Sequence, residues 1–267
     1  MKLLKALGVF LSFILISLLL SIKVSGSSPT KSYGWGYKLG KPGEKPDVGA
    51  LYESIIKRHN AYYMDDNTSK KLYLTFDAGY ENGNTPKILD VLKKYNVPAT
   101  FFLVGDYLKK EEALVKRMVK EGHIVGNHTW SHPDLTKLDK EAYKEELQKF
   151  EDYYQKLTGK KPLKILRPPA GTFSDRSLAI ADELGYYTIF WSVAYKDWEV
   201  DKVRGWEYAY NSVMRRIHPG AIILLHSVSK DNADALERII VDLQNQGYEF
   251  APITDLFIPP ELFVTAF

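Results

Sequence analysis

The sequence predicts a mostly parallel α/β domain, and three observations carry that reading. Seven short β-favouring runs alternate with six amphipathic, helix-like segments between about residue 71 and about residue 253. Several helix-like segments carry start and stop signals where the alternation requires them. No G-x-G-x-x-G or Walker loop follows any of the runs, which weakens the nucleotide-binding version of an open doubly wound sheet. The alternation alone is compatible with a closed barrel or an open sheet.

The elements follow in order. "KLYLTF" is the first strand, and "TPKILDVLKKYN" follows with apolar residues at helical spacing and Pro86 near the first helical position. "ATFFLVG" is the second strand, followed by the helix "EEALVKRMVKEG" with Gly122 just past its end. "HIVGNHT" is the third, and the long amphipathic "KEAYKEELQKFEDYYQKLTG" closes at Gly159. "LKILRPP" is the fourth, and Ser174 caps the helix "SDRSLAIADELG". "YTIFWSV" is the fifth, and "EYAYNSVMRRIH" ends at Pro219-Gly220. "AIILLHS", the helix "NADALERIIVDLQNQG" and "YEFAPI" complete the series. Residues 27–70 begin Gly- and Pro-rich and turn helical at "VGALYESIIKRHNAYY". They read as an arm packed on the domain of residues 71–258, with residues 259–267 as a tail.

The first 26 residues read as a targeting segment. Lys2 and Lys5 precede the apolar run "ALGVFLSFILISLLLSI", and small residues in "VSGSS" offer a cleavage site. The run, residues 6–22, is also about long enough to span a bilayer, so cleaved signal and retained anchor both stand. Either way the protein is expected to be exported, released or anchored facing outward. The net charge of +3 equals the contribution of Lys2, Lys5 and Lys23, since residues 1–26 hold no acid. The exported part is therefore balanced, which removes an electrostatic argument for nucleic acid. The chain has no Cys, so stability outside the cell has to come from the core that 267 residues permit.

The chemistry-bearing residues sit where strands end. Asp77 follows the first strand, His128 and His132 the third, and Arg167 the fourth. Trp191, Asp197 and Trp198 follow the fifth, and His226 ends the sixth. C-terminal strand ends share one face in a parallel α/β architecture, and that face holds the site. Each residue has an ordinary reading as well: Asp77 as a helix-terminal ion pair, Arg167 as a buried anchor, His226 as a core histidine, and the tryptophans as packing. The i, i+4 spacing of His128 and His132 would put both imidazoles on one face of a helical turn, able to hold a divalent metal. Asn127-His128-Thr129 also matches a glycosylation sequon, read here as coincidence. His59, His123 and His218 lie off the face and are assigned no role.

The order T-F-D, H-T-x-x-H, R-P-P, W-S-V-x-x-x-D-W, L-L-H over residues 71 to about 253 resembles the NodB-homology polysaccharide deacetylases, carbohydrate esterase family four. "TFDAGYENGNTPKILDVLKKY", "EGHIVGNHTWSHPDL", "HPGAIILLHSVSKDNADAL" and the leading "WGYK" resemble the branch that acts on peptidoglycan muramic acid in spore formers. The resemblance implies a distorted (β/α) barrel of about seven parallel strands. It also implies Asp77 as catalytic base, His128 and His132 as metal ligands, Arg167 as the arginine that positions carboxylates, and Asp197 as the partner of the catalytic acid His226. Trp191 and Leu224 would form the wall for the acetyl methyl, with Trp198, Pro168 and Ala78 also at the substrate. Ala78 stands where the family motif has a second Asp, the third metal ligand, and Ala194 replaces the first acid of D-x-x-D-W. The implied site therefore holds its metal, expected to be Zn²⁺ with Mn²⁺ or Co²⁺ as alternatives, through two histidines. The implied reaction removes N-acetyl groups from the peptidoglycan glycan strand, a muramic δ-lactam forming afterwards. A deacetylase of chitin-like polymers, an O-acetyl xylan esterase and a non-catalytic glycan-binding module are the competing readings.

Overall fold

The computed structural model describes residues 31–66 and 69–257. The predicted leader of residues 1–26, the first residues of the arm and the tail of residues 259–267 lie outside that range. Along the chain run β1 (Tyr33–Gly34), α1 (Gly49–Ile56), β2 (Ala61–Tyr62), β3 (Lys71–Ala78) and α2 (Thr85–Tyr95). Then come β4 (Ala99–Leu103), α3 (Gly105–Lys110), α4 (Glu112–Lys120), β5 (Ile124–Asn127) and α5 (Lys140–Thr158). The order continues with β6 (Ile165–Leu166), β7 (Thr172–Phe173), α6 (Asp175–Glu183) and β8 (Tyr187–Ile189). It ends with α7 (Trp206–Met214), β9 (Ile222–His226), α8 (Lys230–Asn245) and β10 (Glu249–Phe250). All seven expected strands and all six expected helices are present.

The strands pair in parallel in the order β2-β8-β6-β5-β4-β3-β9, with β10 alongside the start of β3. The amides of Ser192 and Val193 donate to the Ile222 carbonyl, and the Leu224 amide donates to Val193. These bonds tie β9 back to the chain leaving β8, so the sheet curls into a distorted barrel. Strand periodicity then sorts the side chains. Leu72, Leu74, Phe76 and Ala78 point outward into the large apolar cluster beneath the helices. Tyr73 points inward and packs with Phe102, Ile165, Ile189 and Ile222 in the barrel interior.

Capping chemistry places the helices. Ser174 and Ser177 form a reciprocal capping box at α6, and Asp139 accepts from the Ala142 amide at the start of α5. Gly159 ends α5 in the left-handed region at φ 72°, where glycine carries no Cβ penalty.

The arm is more than a covering. Ala61–Tyr62 extends the sheet as a parallel edge strand on β8, and Tyr33–Gly34 pairs antiparallel with β7. Trp35 stacks on Phe190 with ring centroids 4.4 Å apart, and its indole N–H donates to the Trp191 carbonyl at 2.9 Å. Gly171, at φ 65°, leaves room for this: a Cβ there would meet Trp191 at 2.8 Å and Trp35 at 2.9 Å.

Candidate active site

The C-terminal ends of the strands surround a cavity of ≈ 500 Å³. Asp77 and His226 are register partners at the ends of β3 and β9, so backbone pairing alone sets them side by side. Arg167 follows β6 and folds back into the barrel with no solvent exposure. Its guanidinium lies 4.2 Å from the Phe102 ring centroid. It donates to Asp77 Oδ1 at 2.8 Å, Thr75 Oγ1 at 2.9 Å, and the carbonyls of Ile189 at 3.1 Å and Phe190 at 3.3 Å. A buried cation survives only when so satisfied.

That guanidinium decides the state of Asp77. Burial alone pushes the carboxyl up, but Arg167, with His128 and His226, outweighs it and holds Asp77 below the ordinary carboxylate range. His226 is tuned the other way. Burial disfavours its charged form, yet Asp197 prevails, with Oδ1 2.7 Å from Nδ1, and raises the imidazole above its usual value. The two groups are therefore driven apart, one toward the anion and one toward the cation.

The histidine pair is held differently from its sequence expectation. Residues 128–132 form a loop, not a helical turn, with Thr129 at φ 68° and His132 at φ 61°. Asn127 Oδ1 accepts from the Thr129 amide at 2.8 Å, and Thr129 Oγ1 from the His132 amide at 3.0 Å. The loop still brings the imidazoles together edge to face, with centroids 4.9 Å apart. Buried Asn127 also donates to Leu147 and Tyr186, so the sequon match has no accessible acceptor.

The chemistry of this pair suits a divalent cation. His128 Nδ1 donates to the Arg167 carbonyl at 2.7 Å, which fixes the tautomer and leaves Nε2 a lone pair directed elsewhere. Burial lowers the His128 pKa to about 4, Asp77 opposing, and burial also lowers that of His132. Both rings are thus neutral donors, and Asp77 Oδ2 lies 3.6 Å from His128 Nε2. Among the described residues no group of three His, Cys, Asp or Glu is arranged to hold a metal. The fit is to a two-imidazole site.

Trp191, Leu224 and Trp198 line the cavity, and Trp198 is 51 % exposed with its ring 5.4 Å from that of His226. Two expected substrate residues do not line it. Ala78 is fully buried on the outer face of β3 and belongs to the apolar cluster with Phe76 and Leu103, because its neighbour Asp77 takes the inward position. Pro168 is buried behind the turn that presents Ala170 and Gly171 instead. The sequence assigns Tyr80 no role, yet it is 52 % exposed on the cavity wall. Its signal was an aromatic between two glycines just past a strand end.

A parallel barrel whose C-terminal mouth sets a carboxylate held toward its anion beside an imidazole held toward its cation, with two further imidazoles, is suited to hydrolysis. Comparison with known proteins makes this specific. The polysaccharide deacetylase family profile matches residues 65–189. The chain is 46 % identical over 234 residues to the peptidoglycan-N-acetylmuramic acid deacetylase PdaA of Bacillus subtilis, covering 88 % of this chain and 89 % of that one. The solved PdaA structure superposes with a TM-score of 0.84, covering 89 % of this chain and all of that one. A peptidoglycan-N-acetylglucosamine deacetylase of Bacillus cereus is 39 % identical, over 76 % of this chain and 74 % of its own. The chain belongs to the polysaccharide deacetylase family.

Proposed function

We propose that this chain hydrolyses the N-acetyl amide of N-acetylmuramic acid in peptidoglycan. The carrying observation is that Asp77, bonded to Arg167, and His226, bonded to Asp197, stand side by side at one cavity, which holds the first toward its anion and the second toward its cation. Asp77 accepts a proton from the attacking water, and Arg167 keeps its carboxylate ionised and aimed. Gly79 lines the cavity, where its amide would stabilise the carbonyl oxygen as it becomes anionic. His226 passes its Nε2 proton to the departing nitrogen, and Asp197 holds the ring for that transfer. A divalent cation on His128 and His132, with Zn²⁺, Mn²⁺ or Co²⁺ as candidates, would supply Lewis-acid polarisation of the acetyl carbonyl.

Trp191 and Leu224 form the apolar wall for the acetyl methyl, and the exposed rings of Tyr80 and Trp198 suit the faces of the sugars on either side. The muramic assignment is supported by the likeness to PdaA. Where the stem peptide has been removed, the freed amine lies beside the lactyl carboxyl group, and their condensation with loss of water would give a δ-lactam, a reading that suits a role in spore cortex formation. Residues 1–26 would export the enzyme to the wall as a signal or an outward-facing anchor. Mass spectrometry of peptidoglycan fragments after incubation with the enzyme tests this. Loss of one acetyl from muramic acid is expected, and loss from glucosamine alone would reassign the substrate.

A further inference from the structure

Asp197 does not hold His226 unaided. Its Oδ1 accepts from His226 Nδ1, while its Oδ2 accepts from the His226 backbone amide at 2.8 Å and from Asn232 Nδ2 at 2.6 Å. Asn232 lies in the first turn of α8 with no solvent exposure. Its Nδ2 also reaches the His226 carbonyl at 3.2 Å. A carboxylate and a carbonyl can only accept, so the orientation of this amide is determined. On the other side the Tyr195 hydroxyl donates to Asn232 Oδ1. One buried amide thus fastens both the carboxylate partner of His226 and the His226 backbone, and Tyr195 braces that amide from behind.

We propose that Asn232 is the positioning residue for proton donation by His226, with Tyr195 as its brace. The inference rests on the reading of His226 as the acid. Asp197 sits on an irregular segment between β8 and α7, and without Asn232 its carboxylate would be held only by two donors of His226 itself, the imidazole and the backbone amide, so that the pair could shift together. The third donor ties the pair to α8 and removes that freedom, much as outer hydrogen bonds orient metal-bound histidines. Orientation matters most when the C–N bond breaks. Its electron pair moves to nitrogen, and the proton from His226 Nε2 must arrive there, because an unprotonated amide anion is not expelled. An aryl acetate loses a stable phenolate and needs no such proton.

The test therefore varies the leaving group. The full chain and its Asn232→Leu, Tyr195→Phe and His226→Gln variants are assayed on peptidoglycan and on 4-nitrophenyl acetate. Asn232→Leu is expected to lose about tenfold or more in kcat on the N-acetyl substrate. Its KM should hold within about threefold, and its aryl acetate rate should fall no more than about threefold, well short of the amide loss. Tyr195→Phe should show the same selectivity, smaller, and carries the test by itself if Asn232→Leu does not fold. His226→Gln sets the full selective loss. An equal loss on both substrates, or none on either, overturns the proposal. A parent protein that releases no acetate from peptidoglycan would instead overturn the reading of its function.

Discussion

Replacing Asp197 by asparagine is the most searching perturbation of the acid half of the site, because the hydrogen bonds decide how the amide must lie. Oδ2 receives two donors, the His226 backbone amide and Asn232 Nδ2, whereas Oδ1 receives only His226 Nδ1. An asparagine keeps its single carbonyl oxygen where two donors converge, so its NH₂ group turns toward His226 Nδ1. That nitrogen then has to accept, and the imidazole can no longer carry both protons. The lost attraction is large. Two unit charges 2.7 Å apart attract by roughly 6 kcal/mol at an effective dielectric of 20, before the opposing cost of burial. Neighbouring opposite charges typically shift a pKa by about 1–3 units. The proposed mechanism needs Asp77 ionised and His226 protonated, so in it the raised pKa of His226 sets the alkaline limb of a bell-shaped profile and the lowered pKa of Asp77 the acid limb. In Asp197→Asn the alkaline limb should move to lower pH by about 1–3 units while the acid limb stays. Acetate release at the optimum should fall by about 10² to 10⁴. The assay is the pH dependence of kcat/KM for acetate release. An alkaline limb that stays in place, or moves upward, would refute the reasoning.

Other outcomes follow from the same geometry. Arg167→Met leaves Asp77 buried without its cation, and should cost about 3–5 kcal/mol in urea unfolding. A loss under about 1 kcal/mol would mean the pair is dispensable. His128→Ala and His132→Ala should each abolish Zn²⁺ binding in calorimetric titration, because a two-imidazole site cannot spare a ligand. Unchanged affinity in either would remove that residue from the site. His123 is buried with neither ring nitrogen bonded among the described residues, and burial lowers its pKa. Such a group is charged more readily in the unfolded chain, so it reduces stability as pH falls below about 6.5. His123→Phe should therefore be neutral or stabilising and should flatten the acid side of the stability profile, a result checked by thermal unfolding between neutral and acid pH.

The barrel and the face of the site were legible because both depend on local signals. Pro86, Ser174 and Gly159 mark helix ends through backbone chemistry that operates within a few residues. Parallel topology then sends every strand's C-terminus to one side without further information. What escaped depends on tertiary contacts. The i, i+4 spacing of His128 and His132 suggested a helix, but the Asn127 and Thr129 side chains stabilise a loop with two left-handed residues. Ala78 was expected at the metal from motif alignment. The alternation Leu72, Leu74, Phe76, Ala78 against Tyr73, Thr75, Asp77 already places it on the outer face. Strand Ala61–Tyr62 is too short to show a period, and Asn232 reads as an ordinary first-turn residue until Asp197 is brought beside it.

The central claim is that Asp77, ionised beside Arg167, is the base of an N-deacetylase. It is tested most directly by acetate release from peptidoglycan with wild-type protein and Asp77→Asn, both shown by circular dichroism to be folded. The amide keeps a hydrogen-bond acceptor for Arg167 but cannot take a proton from water. Wild-type protein should release acetate and Asp77→Asn should be slower by about 10² to 10⁴. A folded variant that keeps more than about a tenth of the wild-type rate would contradict the claim and assign the base elsewhere.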